Sequence, residues 1–247
     1  DSIQTDEQPY LQKREKEQVL IVVFTSNKGL CGAFNTNVIK HTENYIKEKY
    51  PSQLKEGKVN LITIGKKATE FFTKNNYNVV ENHDHIYDEL SFSNASEIAE
   101  TIMEAFKNKN YDLVEMIYNK FINAASQEVT TEQFLPLESV HDDQEKTDEI
   151  MDDDINYDED YEEYIFEPDK KTITEEVIPK TLKIQFYKAL LDSNASEHGA
   201  RMTAMHQATE NANSLVKELQ LSYNKARQEA ITNEILEVTT GAEALKG

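Results

Sequence analysis

Crosslinks, chain breakers and basic residues are all scarce in this chain. It has one cysteine, no tryptophan, seven glycines and five prolines in 247 residues. The lone Cys31 cannot close an internal disulfide, which fits a reducing compartment. The sequons Asn94-Ala95-Ser96 and Asn194-Ala195-Ser196 then carry no weight, since glycosylation needs the secretory route. Twenty-six Lys and Arg stand against 46 Asp and Glu, a formal charge of −20. Phosphate neutralisation needs clustered cations, so this balance argues against nucleic acid and against a basic patch docked on anionic lipid. No apolar run reaches the roughly 20 residues of a membrane-spanning helix. At 38% hydrophobic residues and a mean hydropathy of −0.69, the composition is too polar for one compact core. Much of the chain is expected as solvated helix or loop.

Breakers are rarest at the end. No proline follows Pro179, and Gly199 and Gly241 are the only glycines from there to Leu245. One helix through this run would reach roughly 100 Å at 1.5 Å per residue. Its small and apolar residues recur at alternating threes and fours: Leu191, Ala195, His198, Met202, Met205, Thr209, Ala212, Val216, Leu219, Tyr223, Ala226 and Ala230. That spacing makes a seam facing another helix. The alternative, an amphipathic helix folded back on its own domain, would need a domain face of the same length. The run is read as a shaft.

Ahead of it, residues 1–18 form a polar lead-in and residues 19–137 alternate strands with helices. Val19 to Phe24 is a continuous apolar run, the mark of a strand buried on both faces. A turn at Gly29 and Gly32 leads into a helix reaching Tyr50, with Phe34, Val38, Tyr45 and Ile46 on its inner face. Strands follow at Val59–Ile64, Asn78–Val80, Leu113–Ile122 and Val129–Leu137, with helices at Ala68–Lys74 and after Ser93 or Asn94 as cap. Ile98, Ile102 and Phe106 mark the core face of the latter. The fold class is α/β, a Rossmann-like three-layer domain with a largely parallel sheet, followed by a very long C-terminal helix that forms half of an antiparallel coiled coil. Between His141 and Glu163 lie eight Asp and five Glu against Lys146 alone, a net −12. Residues 138–163 are therefore expected as a self-repelling, low-complexity insertion. Residues 164–178 supply a last strand and connector, and residues 179–247 the long helix.

Few residues carry a chemical signal. Gly29-x-x-Gly32 sits where phosphate loops occur, but it has no third glycine and no Gly-Lys-Ser/Thr, so a tight turn is the better reading. Cys31 near a helix start is read as a small buried residue rather than a reactive thiol. His83-x-His85 with Asp84 and Asp88 has no second ligand cluster and reads as a solvated loop. The acidic block does not match the spacing of a Ca²⁺ loop. His198, Met202 and Met205 belong to the helical stripe, where packing is the default. No catalytic, metal or cofactor residue is assigned.

Three stretches nevertheless resemble one family. Ala195-Ser196-Glu197-His198-Gly199-Ala200-Arg201-Met202-Thr203-Ala204-Met205 and Leu221-Ser222-Tyr223-Asn224-Lys225-Ala226-Arg227-Gln228-Glu229-Ala230-Ile231-Thr232-Asn233-Glu234-Ile235 are similar to signatures of the γ subunit of F-type ATP synthases. Ser26-Asn27-Lys28-Gly29-Leu30-Cys31-Gly32-Ala33-Phe34-Asn35 resembles the family's third marker. The resemblance implies a non-catalytic central-stalk rotor that couples proton flow through the membrane c ring to ATP synthesis or hydrolysis at the β subunits. It implies α and β subunits, the ε subunit and the c ring as partners, with membrane contact only through the c ring. The place is the cytoplasmic face of the bacterial inner membrane. Arg201, Gln228, Thr232 and Glu234 resemble the residues that meet the β-subunit catch loops, and Ile231, Ile235 and Val238 lie near the shaft tip. The family's N-terminal helix does not precede the first strand here, so the seam is expected to lack a partner within these residues. The rival readings are a doubly wound α/β nucleotide-binding enzyme that uses the Ser26–Asn35 turn, and an acidic coiled-coil adaptor.

Overall fold

The computed structural model describes residues 9–137 and 176–245. The first eight residues of the lead-in, the acidic segment 138–163 and the expected last strand and connector as far as residue 175 lie outside the described residues. The chain divides into two units, Asp1–Arg201 and Met202–Gly247, and the division falls inside the C-terminal helix.

The first unit is organised on β1 (Val19–Phe24), whose six residues are all buried. Successive side chains point to opposite faces, so β1 feeds two cores. Leu20, Val22 and Phe24 join one cluster, and Val19, Ile21 and Val23 the other. β2 (Val59–Ile64), β3 (Asn78–Asn82) and β4 (Leu113–Asn123) run parallel in this sheet, and β5 (Ser126–Leu135) returns antiparallel to β4. The order is β3-β2-β1-β4-β5. The β4–β5 turn is closed by Asn123, whose Oδ1 accepts the Ala125 and Ser126 amides at 3.0 and 2.8 Å. The edge strand β3 is short and exposed, and its ladder slips at Val80, which blunts an open edge.

Helices α1 (Phe34–Lys49), α2 (Pro51–Lys55), α3 (Lys66–Lys74) and α4 (Phe92–Lys107) connect the parallel strands. α1 buries Phe34, Val38, Ile39, Thr42 and Ile46, while Tyr45 is half-buried. With Ala68 and Phe72 of α3, α1 covers one sheet face through Val38, Ile39 and Ile46. The β2–α3 junction needs Gly65: at φ 105°, a Cβ there would sit 2.1 Å from the Thr25 carbonyl oxygen. The cap of α4 is Ser91, not Ser93 or Asn94. Its extended backbone (φ −117°, ψ 156°) lets Oγ accept the Asn94 amide at 3.3 Å, so the two expected caps fall in the first turn.

The other face is covered by α4 and by the start of α5 (Ile178–Ala244). Leu182, Phe186, Ala189 and Leu190 enter the core, and the Phe186 ring lies 5.5 Å from Phe24 and 6.1 Å from Phe134. Leu182, Phe186 and Leu190 each contribute about 1.5–3 kcal/mol by leaving water. The long run is thus no free shaft from its first turn. Its first part folds back on the sheet with the stripe Leu182, Phe186, Ala189, Leu190, Ser193 and Glu197, a different face from the Leu191–Ala195–His198 seam.

The second unit is the remainder of α5. From Met205 to Leu245 every residue is exposed, the seam positions Val216, Leu219 and Tyr223 included.

Candidate functional site

β1 leads to β2 and β3 on one side, while β4 pairs on its other side, so the strand order reverses between β1 and β4. In open α/β sheets, ligands bind at the C-terminal ends of the strands flanking such a point. Here that place holds the Ser26–Asn35 turn. The Ser26 amide donates to Asn35 Oδ1 at 2.9 Å, and Asn35 Nδ2 donates to Ser26 Oγ at 2.7 Å and Cys31 Sγ at 3.1 Å. Ser26 Oγ in turn donates to the Lys28 carbonyl at 2.5 Å. Asn27 Oδ1 accepts the Lys66 amide at 3.1 Å, and its Nδ2 donates to the Asp84 carbonyl at 2.8 Å. A phosphate cradle needs free amides, and the amide that leaves β1 is already spent.

The space beside the turn is filled by α5. Ser196 Oγ donates to the Asn119 carbonyl at 3.1 Å, and Asn119 Nδ2 donates to the Phe34 carbonyl at 3.5 Å. Ala200 packs with Cys31 and Phe34, both buried. Gly199 allows the closest approach, since a Cβ there would lie 2.8 Å from the Ala124 carbonyl oxygen. This arrangement fastens a helix to a sheet at the point where an enzyme of this class would hold a nucleotide.

Arg201 is the last residue of the first unit. Its Nη2 lies 2.5 Å from Glu197 Oε1 and 3.5 Å from the Lys28 carbonyl, so the guanidinium is engaged within its own chain. Gln228, Thr232, Glu234, Ile231, Ile235 and Val238 all lie on the exposed part of α5. Thr232 Oγ1 bonds back to the Gln228 carbonyl at 2.8 Å. Gln228, Thr232 and Ile235 share one helical face by their spacing of four and three, as do Ile231, Ile235 and Val238. Met202 and Met205 are exposed rather than packed, as is His198.

Among the described residues, no group of three His, Cys, Asp or Glu is placed to hold a metal ion. His83 Nε2 pairs with Glu81 at 3.0 Å, and its ring lies 5.9 Å from that of His85. A more buried charge escaped the sequence reading. Glu115 on β4 is buried, and its Oε1 accepts Tyr45 Oη and Lys49 Nζ, both at 2.8 Å. Burial, then the Glu115 carboxylate, pushes the Tyr50 phenol far above its usual range. A glutamate inside a buried strand was the available signal, because such a charge needs a partner. Glu197 was missed as well, although Glu197-x-x-x-Arg201 has the spacing of a helical ion pair.

The family model described as ATP synthase matches residues 1–245. The chain is 51% identical over 238 residues to the ATP synthase gamma chain of Christiangramia forsetii, covering 96% of this chain and 77% of that one. Against the ATP synthase gamma chain of Amoebophilus asiaticus it is 49% identical over 239 residues, with 96% and 76% covered. Among solved structures, a chain of the Euglena gracilis mitochondrial ATP synthase (OSCP, F1 and c-ring) superimposes with a TM-score of 0.63 at 24% identity, covering 99% of this chain and 81% of that one.

Proposed function

Because the chain belongs to the ATP synthase γ-chain family, and so is a rotor subunit of the central stalk, we propose how its surface performs that task. The carrying observation is the outer part of α5. From Met205 onward it buries nothing within its own chain, yet it presents Val216, Leu219, Tyr223, Ile231, Ile235 and Val238. A stripe of apolar side chains that size marks a surface used by other chains.

The chain itself makes and breaks no bonds. Gln228, Thr232 and Glu234 meet the catch loops of the β subunits, together with Arg201. Ile231, Ile235 and Val238 turn within an apolar sleeve formed by the α and β subunits. An asymmetric shaft touches each β subunit differently, and differential contact biases conformers that already exist. The sheet unit is the foot, with the ε subunit and the c ring as neighbours. Among the described residues no helix is long and apolar enough to cross a membrane, and the c ring supplies the membrane contact. The cytoplasmic face of the bacterial inner membrane is the proposed place. The filled crevice beside Ser26–Asn35 speaks against the nucleotide-binding enzyme, and titration with ATP and NAD is expected to give no saturable site.

Gln228→Ala and Thr232→Ala in the assembled complex test the contacts. Loss of a neutral hydrogen bond is expected to lower the ratio of ATP-driven proton pumping to ATP hydrolysis about two- to tenfold. Unaltered pumping and synthesis in both variants would refute the assignment.

A further inference from the structure

The Ser26–Asn35 turn carries a leucine that is doubly unfavourable. Leu30 has φ 63°, in the left-handed region, and is 81% exposed. A side chain with a branched γ carbon enters that region only when its surroundings hold the backbone there. On one side, Cys31 and Phe34 pack on Ala200 of α5. On the other, the Lys28 carbonyl receives Ser26 Oγ at 2.5 Å and Arg201 Nη2 at 3.5 Å. Arg201 is directed there by Glu197, one helical turn earlier, whose buried carboxylate takes the same nitrogen at 2.5 Å. The two side chains are only 18% and 11% exposed, which strengthens the pair relative to one in open water.

We propose that Glu197 and Arg201 are positioning residues that clamp the Ser26–Asn35 turn to the rotor helix, so that Leu30 is presented in one fixed conformation. The proposal rests on the rotor reading for its purpose, but not for its geometry. Glu197 folds the guanidinium back onto the turn; without that carboxylate the guanidinium is free to swing into solvent and the Lys28 carbonyl loses its helix-borne donor. Lysine at position 201 keeps the charge but not the planar fork that can serve two acceptors.

Hydrogen exchange on the full chain reads the clamp directly. Arg201→Ala and Glu197→Gln are expected to speed exchange of amides 28–34 about tenfold, as for the loss of one charge-assisted bond, with Arg201→Lys between them and wild type. Amides of β1 and β4 are expected to keep their rates. In the assembled ATP synthase, Glu197→Gln is then expected to lower the ratio of proton pumping to ATP hydrolysis while Arg201 is intact. That loss, appearing together with the faster exchange at 28–34, ties coupling to the clamped turn. Whether the unsubstituted chain supports pumping tests the rotor reading separately, and the exchange result stands apart from it. Unchanged exchange at 28–34 in both Arg201→Ala and Glu197→Gln overturns the clamp. So does a loss of protection across the whole sheet, which would make the pair a general fold determinant. Faster exchange with an unaltered pumping ratio in Glu197→Gln overturns its role in coupling.

Discussion

Between Leu182 and Ala200 helix α5 buries nine residues, whereas from Met205 to Leu245 it buries none. Both stretches belong to one helix with a single proline in its first turn and glycines only at 199 and 241. Local propensity therefore does not separate them. The first is held by Leu182, Phe186, Ala189 and Leu190 in the sheet core and by Ser196 and Ala200 at the turn. The second has only its own backbone ladder and side chains bonding back one turn, as Thr209, Ser214 and Thr232 do. Isolated helices draw little stability from propensity, and most helical stability in proteins comes from packing of a face. One stretch is structure for its own chain, and the other is surface for others.

The largest test of this contrast pairs two core-sized residues. Phe186→Ala removes a ring lodged against Phe24 and Phe134 and is expected to cost about 3–5 kcal/mol of unfolding free energy. Leu219→Ala removes a side chain that is 59% exposed and is expected to stay within about 0.5 kcal/mol. Denaturant midpoints of the chain, followed by the sheet's near-ultraviolet signal, measure both. A comparable loss for Leu219→Ala would mean that the outer stretch is buried in solution, and the comparison would collapse.

A smaller test uses one substitution at two places and expects opposite signs. At Gly199 a methyl group would stand 2.8 Å from the Ala124 carbonyl oxygen, so Gly199→Ala must push the β4–β5 turn away, at about 1–3 kcal/mol. At Gly241 nothing lies within 4 Å, and Gly241→Ala should raise local helicity by about 0.5–1 kcal/mol. Thermal unfolding of the sheet for the first, and far-ultraviolet ellipticity for the second, read the two effects. If Gly199→Ala were neutral, α5 would not be seated on the β4–β5 hairpin as closely as a 2.8 Å approach requires.

Much of the sheet could be read from residues 19–137. The all-apolar run of β1, the limits of β2 and the core face of α4 at Ile98, Ile102 and Phe106 follow from periodicity alone. The long helix was equally visible, because breakers are absent. What periodicity did not disclose is that α5 carries two stripes at once near its start. Leu182, Phe186 and Ala189 face the sheet, while Leu191, Ala195 and His198 follow the seam, and a helix that is apolar on two faces shows no clean moment. The clamp was hidden for a related reason: the spacing of Glu197 and Arg201 says nothing of Lys28, which only the fold brings within reach from 173 positions away. Ser91 is not separable from Ser93 and Asn94 as the cap by residue type, since serine and asparagine both suit that position, and only backbone geometry chooses among the three.

The smallest expected effect uses alkaline pH to separate the two stretches. The first unit contains Tyr50, Tyr87 and Tyr118, whose phenols are raised far above the usual range. Burial is the main cause in all three, followed by the Glu115 charge at Tyr50, the Glu197 charge at Tyr87 and the hydrogen bond to Glu132 at Tyr118. Their neutral forms are favoured in the folded state, whereas the unfolded chain ionises them near pH 10. The stability they contribute is fully present below about pH 10 and declines as pH climbs toward the folded values. The first unit's melting temperature is therefore expected to fall by a few degrees between about pH 9 and 11. Tyr50→Phe sharpens the measurement, because the Tyr50 hydroxyl is buried and has no hydrogen-bond partner among the described residues. At neutral pH that substitution is expected to change stability by no more than about 1 kcal/mol. At pH 11 it is expected to recover about a third of the loss, one phenol of three. The outer stretch buries no tyrosine, so its helical signal is not expected to follow this titration. A Tyr50→Phe chain that melts along the same alkaline curve as the unsubstituted one would show that the buried phenols of the sheet do not set its alkaline limit.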